Sequence, residues 1–463
     1  MIIQFLGGAN EVGASSTLLI MEGQHILVDA GIRMGIEQHS SLPDLDDVRR
    51  IDAVLLTHSH SDHTGALPIL VRDYLNANTK VYCTSPTRAI TEELLNDSAG
   101  HKERDNEGNS PSGFNVCDVN NAMRHITEVR CGNAVPICGG TLTATWFPAG
   151  HVLGAAMIYI EGKEQRILMT GDVSAGNQLT LPDLAVPMGL EPDLMVMEST
   201  YGNHCHVVRT REENRLVQDV FKTIIEGGKV LIPAFAVGRS QETILILKRA
   251  MERRVIPEFP VYVDGMVRKI NDIYTRFPGE LSLDLRREAE RGEDPFCSKF
   301  IRKVASCDER DRILKGESSC IVASSGMLNG GISNHYAKCL AGDRKNLIAI
   351  TGYQANGTPG RALLDVTDPD GPTNREWKQR DGSSLRVRCR VKSYSLSAHA
   401  DRDELTGLVG KVQPRKVFLV HGDRRAREKL KSAILEESPG VQVELPLNGD
   451  SFCEEATRLS GAA

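Results

Sequence analysis

The chain has 463 residues, 40% of them hydrophobic and 25% charged, with a formal net charge of −6. That length exceeds one ordinary domain and leaves ample material for a core. The acidic balance excludes nucleic-acid binding through a global positive field, so contact with phosphates must come from a local groove or from bound metal.

The apolar stretches at 54–57 and 229–237 are strand-sized and far short of a membrane span. The opening Met1-Ile2-Ile3-Gln4-Phe5-Leu6-Gly7-Gly8 carries no basic region and no cleavage-site pattern, so it reads as a first strand of a cytoplasmic protein. The 11 cysteines include no C-x-x-C pair, which points to reduced core thiols and away from a disulfide framework or a zinc ribbon.

In chain order, strands are expected at 2–6, 16–21, 25–29, 53–57 and 80–83, with helices over 44–51 and 68–77. A polar loop follows at 96–115, then strands at 140–147, 156–161, 166–171 and 193–198. From about residue 206 the texture becomes helix, strand, helix, strand at 211–226, 229–233, 240–253 and 261–263, the order of a parallel sheet. The polar stretch 367–384 reads as a linker or surface hairpin, and strand texture resumes at 386–393, 416–420 and 442–444. The expected organisation is α/β: residues 1–205 begin one domain, 206–366 form an inserted domain, and 367–463 return to complete the first.

Chemistry concentrates at strand ends. Thr57-His58-Ser59-His60-Ser61-Asp62-His63 places three histidines and an aspartate within six residues, a nitrogen and oxygen set of the kind zinc prefers. On a tight loop, His58 and His60 can face one metal while Asp62 and His63 turn towards a second. Asp29, His151 and Asp172 each follow another strand signal, where a scaffold places functional side chains.

The His-x-His-x-Asp-His run, with His151 and Asp172 after it, resembles the metallo-β-lactamase superfamily. Glu198 in Glu-Ser-Thr-Tyr-Gly, His399 in Ser-Ala-His-Ala-Asp and His421 in Leu-Val-His-Gly narrow the resemblance to its β-CASP branch of nucleic-acid-processing enzymes. It extends over essentially the whole chain, through Ala236-Val237-Gly238-Arg239-Ser240-Gln241-Glu242, Ala323-Ser324-Ser325-Gly326-Met327-Leu328 and Gly352-Tyr353-Gln354. The chain looks like prokaryotic relatives of the pre-mRNA 3′-end endonuclease, the catalytic subunit of cleavage and polyadenylation specificity factor, and more distantly like RNase J.

The resemblance implies an αββα sandwich with an inserted β-CASP lid. It implies two Zn2+ per chain, one held by His58, His60 and His151 and the other by Asp62, His63 and His421, with Asp172 between them; manganese is the alternative ion. Asp29 would orient a ligand histidine, His399 would protonate the leaving oxygen, and Glu198 would orient His399. Arg239, Ser325, Gly326, Arg361 and His206 correspond to substrate-binding positions; His204 reads as surface. Within the family a histidine at the position of His421 marks RNA-processing members, so single-stranded RNA is the expected partner, cut internally. A 5′-to-3′ exonuclease, a DNA nuclease, a partner-dependent subunit of a processing complex and a homo-oligomer stay open at this point.

Overall fold

The computed structural model describes residues 1–33, 40–100, 113–368, 375–379 and 382–455. Most of the expected loop 96–115, and part of the stretch 367–384, lie outside these residues. The chain forms two compact units. One comprises Met1–Gly176, Asp183–Cys205 and His399–Ala463; the other comprises Asn177–Pro182 and His206–Ala398. Among the described residues, no helix is long and apolar enough to cross a membrane.

The first unit is built on two seven-stranded sheets. Alternation along the strands decides which side chains meet. Leu19, Ile26, Val28 and Leu55 of one sheet meet Trp146, Ile158, Ile167, Val196 and Phe418 of the other in a shared core. Their neighbours Leu18, Leu27 and Val54 point the opposite way, onto Leu67, Leu70, Val119 and Ala122 of the helices Leu67–Asp73 and Val116–His125. Burial on both faces explains why residues 18–21 and Ala53–Leu55 read as unbroken apolar runs. The chain's late return contributes Lys416–Val420, parallel to Leu194–Glu198, and Gln442–Glu444 beside it. The helix Arg424–Glu437 packs against both late strands. This is the expected α/β sandwich.

The second unit holds a six-stranded sheet in which every pairing is parallel. Val230–Pro233, Cys320–Ala323 and Leu347–Ile350 are buried throughout, as strands covered on both faces must be.

Two local expectations need correction. Residues 44–51 form turns and no helix. Val48 N–H donates to Leu45 O, an isolated three-residue closure, while Leu45 and Ile51 are buried as single anchors of a surface segment. The strand Arg390–Ser393 pairs with Leu347–Ile350 in the parallel sheet and does not return to the first sandwich. Of the two alternatives for 367–384, linker or surface hairpin, the described residues show the hairpin, Glu376–Lys378 with Ser384–Arg386, whose Trp377 is fully buried and donates from Nε1 to Pro359 O at 2.9 Å.

The segment Asn177–Pro182 is tied into the second unit by a buried carboxylate. Glu242 accepts from Leu179 N (3.0 Å), Thr180 N (2.7 Å) and Thr180 Oγ1 (2.6 Å), and it pairs with Arg209. Burial pushes its pKa up, but Arg209, Arg239 and the Thr180 and Leu179 hydrogen bonds outweigh that and bring it below the ordinary value. Removing the carboxylate leaves two backbone N–H groups without their acceptor and takes one of its two carboxylate partners from Arg209, which keeps Glu213. Glu242→Ala is therefore expected to cost about 3–5 kcal/mol of stability, measured by urea unfolding at neutral pH. Because the folded pKa is depressed, the wild-type contribution is present above the unfolded value and is lost as pH falls through the folded one. The deficit of the variant should accordingly shrink in acid.

Candidate metal centre

The site lies in the first unit, on loops that leave the ends of strands. After Ala53–Leu55 the chain turns through His58 to His63 into the short helix Ser61–Thr64. Backbone contacts pin this turn from the side: Ala30 N donates to His63 O, Ile32 N to Ser61 O and Ser15 N to Asp62 O, at 2.8–3.0 Å. The approach is so close that a Cβ on Gly31 would lie 1.6 Å from Asp62 O and 2.8 Å from His63 N. Gly31→Ala should consequently displace Asp62 and His63 together. The expected result is folded protein with a lower metal content per chain than the parent, and a stability cost of about 1–3 kcal/mol.

Atoms that could bind a metal converge in two sets. In the first, Nδ1 of His60 lies 3.2 Å from His58 Nε2 and 3.1 Å from His151 Nε2. Asp172 Oδ2 lies 3.5 Å from His58 Nε2 and 3.6 Å from His151 Nε2. In the second, His421 Nε2 is 3.3 Å from Asp62 Oδ2, and Asp172 Oδ1 is 3.5 Å from His63 Nε2. Asp172 thus turns one oxygen to each set. A tetrahedral ion held at about 2.0–2.1 Å by nitrogen separates its ligands by about 3.3 Å, the spacing seen here. His63 Nε2 and Asp172 Oδ1 are buried without a hydrogen-bond partner, as groups awaiting an ion would be. The donor set is entirely nitrogen and carboxylate oxygen, so the residues fit a zinc-type centre.

Electrostatics favour the same reading. Burial, reinforced by His63 and His151, holds His58 well below its ordinary pKa, and burial lowers His60, so both rings keep a lone pair. Burial also acts to lower His63, but Asp172 and Asp29 outweigh it and lift the ring to about 10. Asp62 and Asp172 resist burial, because the surrounding histidines, His421 foremost, hold both below the usual carboxylate range. The centre therefore gathers two ionised carboxylates within reach of five histidine rings, an arrangement that cations complete.

Beside this centre stands a second pair. His399 Nδ1 lies 3.0 Å from Glu198 Oε2 and 3.9 Å from Asp172 Oδ2. Glu198 is buried at the end of Leu194–Glu198 and also accepts from Val173 N at 2.8 Å. Burial disfavours the charged ring of His399, yet Glu198 and Asp172 outweigh it and raise the pKa to about 9. The loop is held by Ala400 N donating to Val173 O and by a capping box in which Asp401 and Glu404 close the start of Arg402–Val412. That Asp-x-x-Glu signature was legible in the sequence and went unused. So did Thr57 and Thr200, which touch ligand histidines, and Tyr201, whose ring lies 6.0 Å from that of His399.

Asp29 accepts from Thr57 N and Oγ1 and contacts His63 Nδ1 at 2.8 Å, which fixes the orientation of the His63 ring. The remaining candidates lie in the second unit. Ser325 and Gly326 follow Cys320–Ala323; Gly326 O accepts from Gln354 Nε2 at 3.0 Å, and Arg361 is exposed and paired with Asp365. Arg239 is buried, its guanidinium committed to Leu396 O and Gln178 Oε1 within the same unit. His206 is half-buried in the second unit, and His204 is exposed at the end of a first-unit segment.

Comparison with known proteins agrees with this geometry. Residues 18–183 match the profile of the metallo-beta-lactamase superfamily domain, 240–363 that of the Beta-Casp domain, and 384–446 that of the Zn-dependent metallo-hydrolase RNA specificity domain. The class is that of metal-dependent hydrolases. The chain is 36% identical over 456 residues to the transcription termination factor FttA of Methanothermobacter thermautotrophicus, covering 96% of this chain and 70% of that protein. It is 31% identical over 477 residues to the endoribonuclease YSH1 of Gibberella zeae, covering 97% of this chain and 56% of that one. A crystal structure from Enterococcus faecalis V583, titled a protein of unknown function, shares the fold at a TM-score of 0.58 and 15% identity, over 97% of this chain and 99% of that one. The chain belongs to the β-CASP family of the metallo-β-lactamase superfamily.

Proposed function

We propose that the protein is a zinc-dependent endoribonuclease that hydrolyses phosphodiester bonds of single-stranded RNA. The observation that carries this reading is the Glu198–His399 pair beside Asp172, because phosphodiester hydrolysis must protonate a poor leaving alkoxide. His58, His60 and His151 would hold one ion and Asp62, His63 and His421 the other, with Asp172 serving both. Such ions supply water activation and charge neutralisation at phosphorus.

The protein's own part is positioning and proton supply. Glu198 holds the Nδ1 side of His399, leaving Nε2 to face the leaving oxygen. Its charge keeps the ring protonated until that proton is given. Asp29 fixes the His63 ring through Nδ1. Ser325, Gly326 and Arg361 are the groups of the second unit that we assign to substrate. Likeness to archaeal proteins named transcription termination factors favours nascent transcripts as the RNA.

The test is cleavage of end-labelled single-stranded RNA and of DNA of the same sequence, with Zn2+ or Mn2+. Internal cuts in RNA support the proposal. A ladder of single nucleotides from the 5′ end would make the enzyme an exonuclease, and equal cutting of DNA would remove the RNA assignment.

A further inference from the structure

We infer that Thr57 and Thr200 are positioning residues that select which ring nitrogen of His58 and His421 is presented to metal. The inference rests on the metal centre proposed above and concerns two side chains with no part in the chemistry itself.

A threonine hydroxyl has one proton to give and lone pairs to receive. Thr57 Oγ1 lies 2.7 Å from Asp29 Oδ2, an acceptor, and 3.1 Å from His58 Nδ1. With its proton given to the carboxylate, the hydroxyl can only accept from the ring. Nδ1 of His58 must then carry hydrogen, and the nitrogen left for an ion is Nε2. That is the atom lying 3.2 Å from His60 Nδ1 and 3.5 Å from Asp172 Oδ2, inside the first ligand set.

Thr200 repeats the device for the second set. Its Oγ1 donates to His421 O at 3.1 Å and lies 3.2 Å from His421 Nδ1. Here a backbone carbonyl takes the proton, and carbonyls only accept. Nδ1 of His421, which also lies 3.3 Å from Asp172 Oδ1, has acceptors on either side and is again the hydrogen-bearing atom, while Nε2 faces Asp62 Oδ2 at 3.3 Å. Asp29 does the same for His63 from a carboxylate, at 2.8 Å from Nδ1.

Both hydroxyls are held where they stand. Thr57 is buried, its N–H donates to Asp29 Oδ1, and a Cβ on Gly171, which has φ +53°, would lie 2.6 Å from Thr57 Cβ. Thr200 follows Ser199, whose Oγ donates to Val420 O, so the Glu198 and His421 strands are stitched together just where the threonine acts. Partners that fix the far nitrogen of a ligand histidine typically change metal affinity by about 10–100-fold when removed.

The experiment uses the full chain with Zn2+ as the probe, titrated against a chromophoric chelator. Thr57→Val and Thr200→Val keep shape and remove the hydroxyl; Thr57→Ser and Thr200→Ser keep the hydroxyl. Each valine variant should weaken one zinc about 10–100-fold. The serine variants should stay near wild type, and the thermal midpoint of metal-free Thr200→Val should not move. Wild-type zinc affinity in both valine variants overturns the inference while leaving the metal centre intact. Equal loss in the valine and serine variants of a pair also overturns it, since packing and not the hydroxyl would then be at work. A wild-type chain that takes up no zinc would overturn the metal centre itself.

Discussion

Replacing Asp172 by asparagine is expected to abolish hydrolysis and to leave the chain with at most one tightly held ion. The carboxylate turns Oδ2 to the His58 and His151 nitrogens and Oδ1 to His63 Nε2, so among the described residues it is the side chain that reaches both candidate ligand sets. Asparagine keeps the shape but removes the charge. It also presents N–H donors to one set, where a ligand must be an acceptor. Metal-assisted charge neutralisation supplies several kcal/mol at the transition state, and each 1.36 kcal/mol is tenfold in rate. The single-turnover rate should therefore fall by about three orders of magnitude or more, alongside a fall in bound metal. Cleavage that survives Asp172→Asn with normal metal content would remove this residue from the reaction.

His399→Gln should separate chemistry from metal binding. The ring stands against Glu198 and outside the ligand nitrogens of both sets, so bound metal should be unchanged while the rate falls by about 10²–10⁴-fold, the usual worth of a general acid. The pH dependence carries a sign. Glu198 and Asp172, working against burial, raise His399 to about 9, so the acid form persists through neutral pH. Wild-type rate should hold up to that region and decline as pH rises through about 9. Glu198→Gln can still accept from Val173 N but loses the charge, so its alkaline limb should move towards the ordinary histidine value near 6.5. A limb that stays in place in both variants would mean that another group titrates.

The contrast between Glu198 and Arg239 shows how sequence and structure divided the work. Both were singled out from motifs. Glu198 sits against His399 because the loop before Arg402–Val412 is pinned beside that strand end, by Ala400 N donating to Val173 O and by the parallel bridge between Tyr201 and Asp401. The motif around Arg239 suggests a substrate-binding position, and in the structure its side chain is buried, with its guanidinium bonded to Leu396 O and Gln178 Oε1 of the second unit. An arginine looks the same in sequence whether it faces solvent or a buried carbonyl. The turn at 44–51 has a related cause: apolar residues three apart, Leu45, Val48 and Ile51, are also what separate anchors under a surface segment produce.

The sequence by itself determined the ligand types, their clustering between His58 and His63, the layered α/β class and the parallel texture of the second half. These follow from short-range regularities, namely strand-length apolar runs and donor atoms spaced a few residues apart. Only the tertiary structure decided which strand end meets which. Thr200 and His421 are 221 positions apart, His421 and Asp62 are 359 apart, and Arg390–Ser393 joins the sheet of the second unit. No local pattern encodes such meetings, because their free energy comes from burying both faces of a sheet at once. The placement of one hydroxyl or carboxylate against one ring nitrogen is a consequence of that packing.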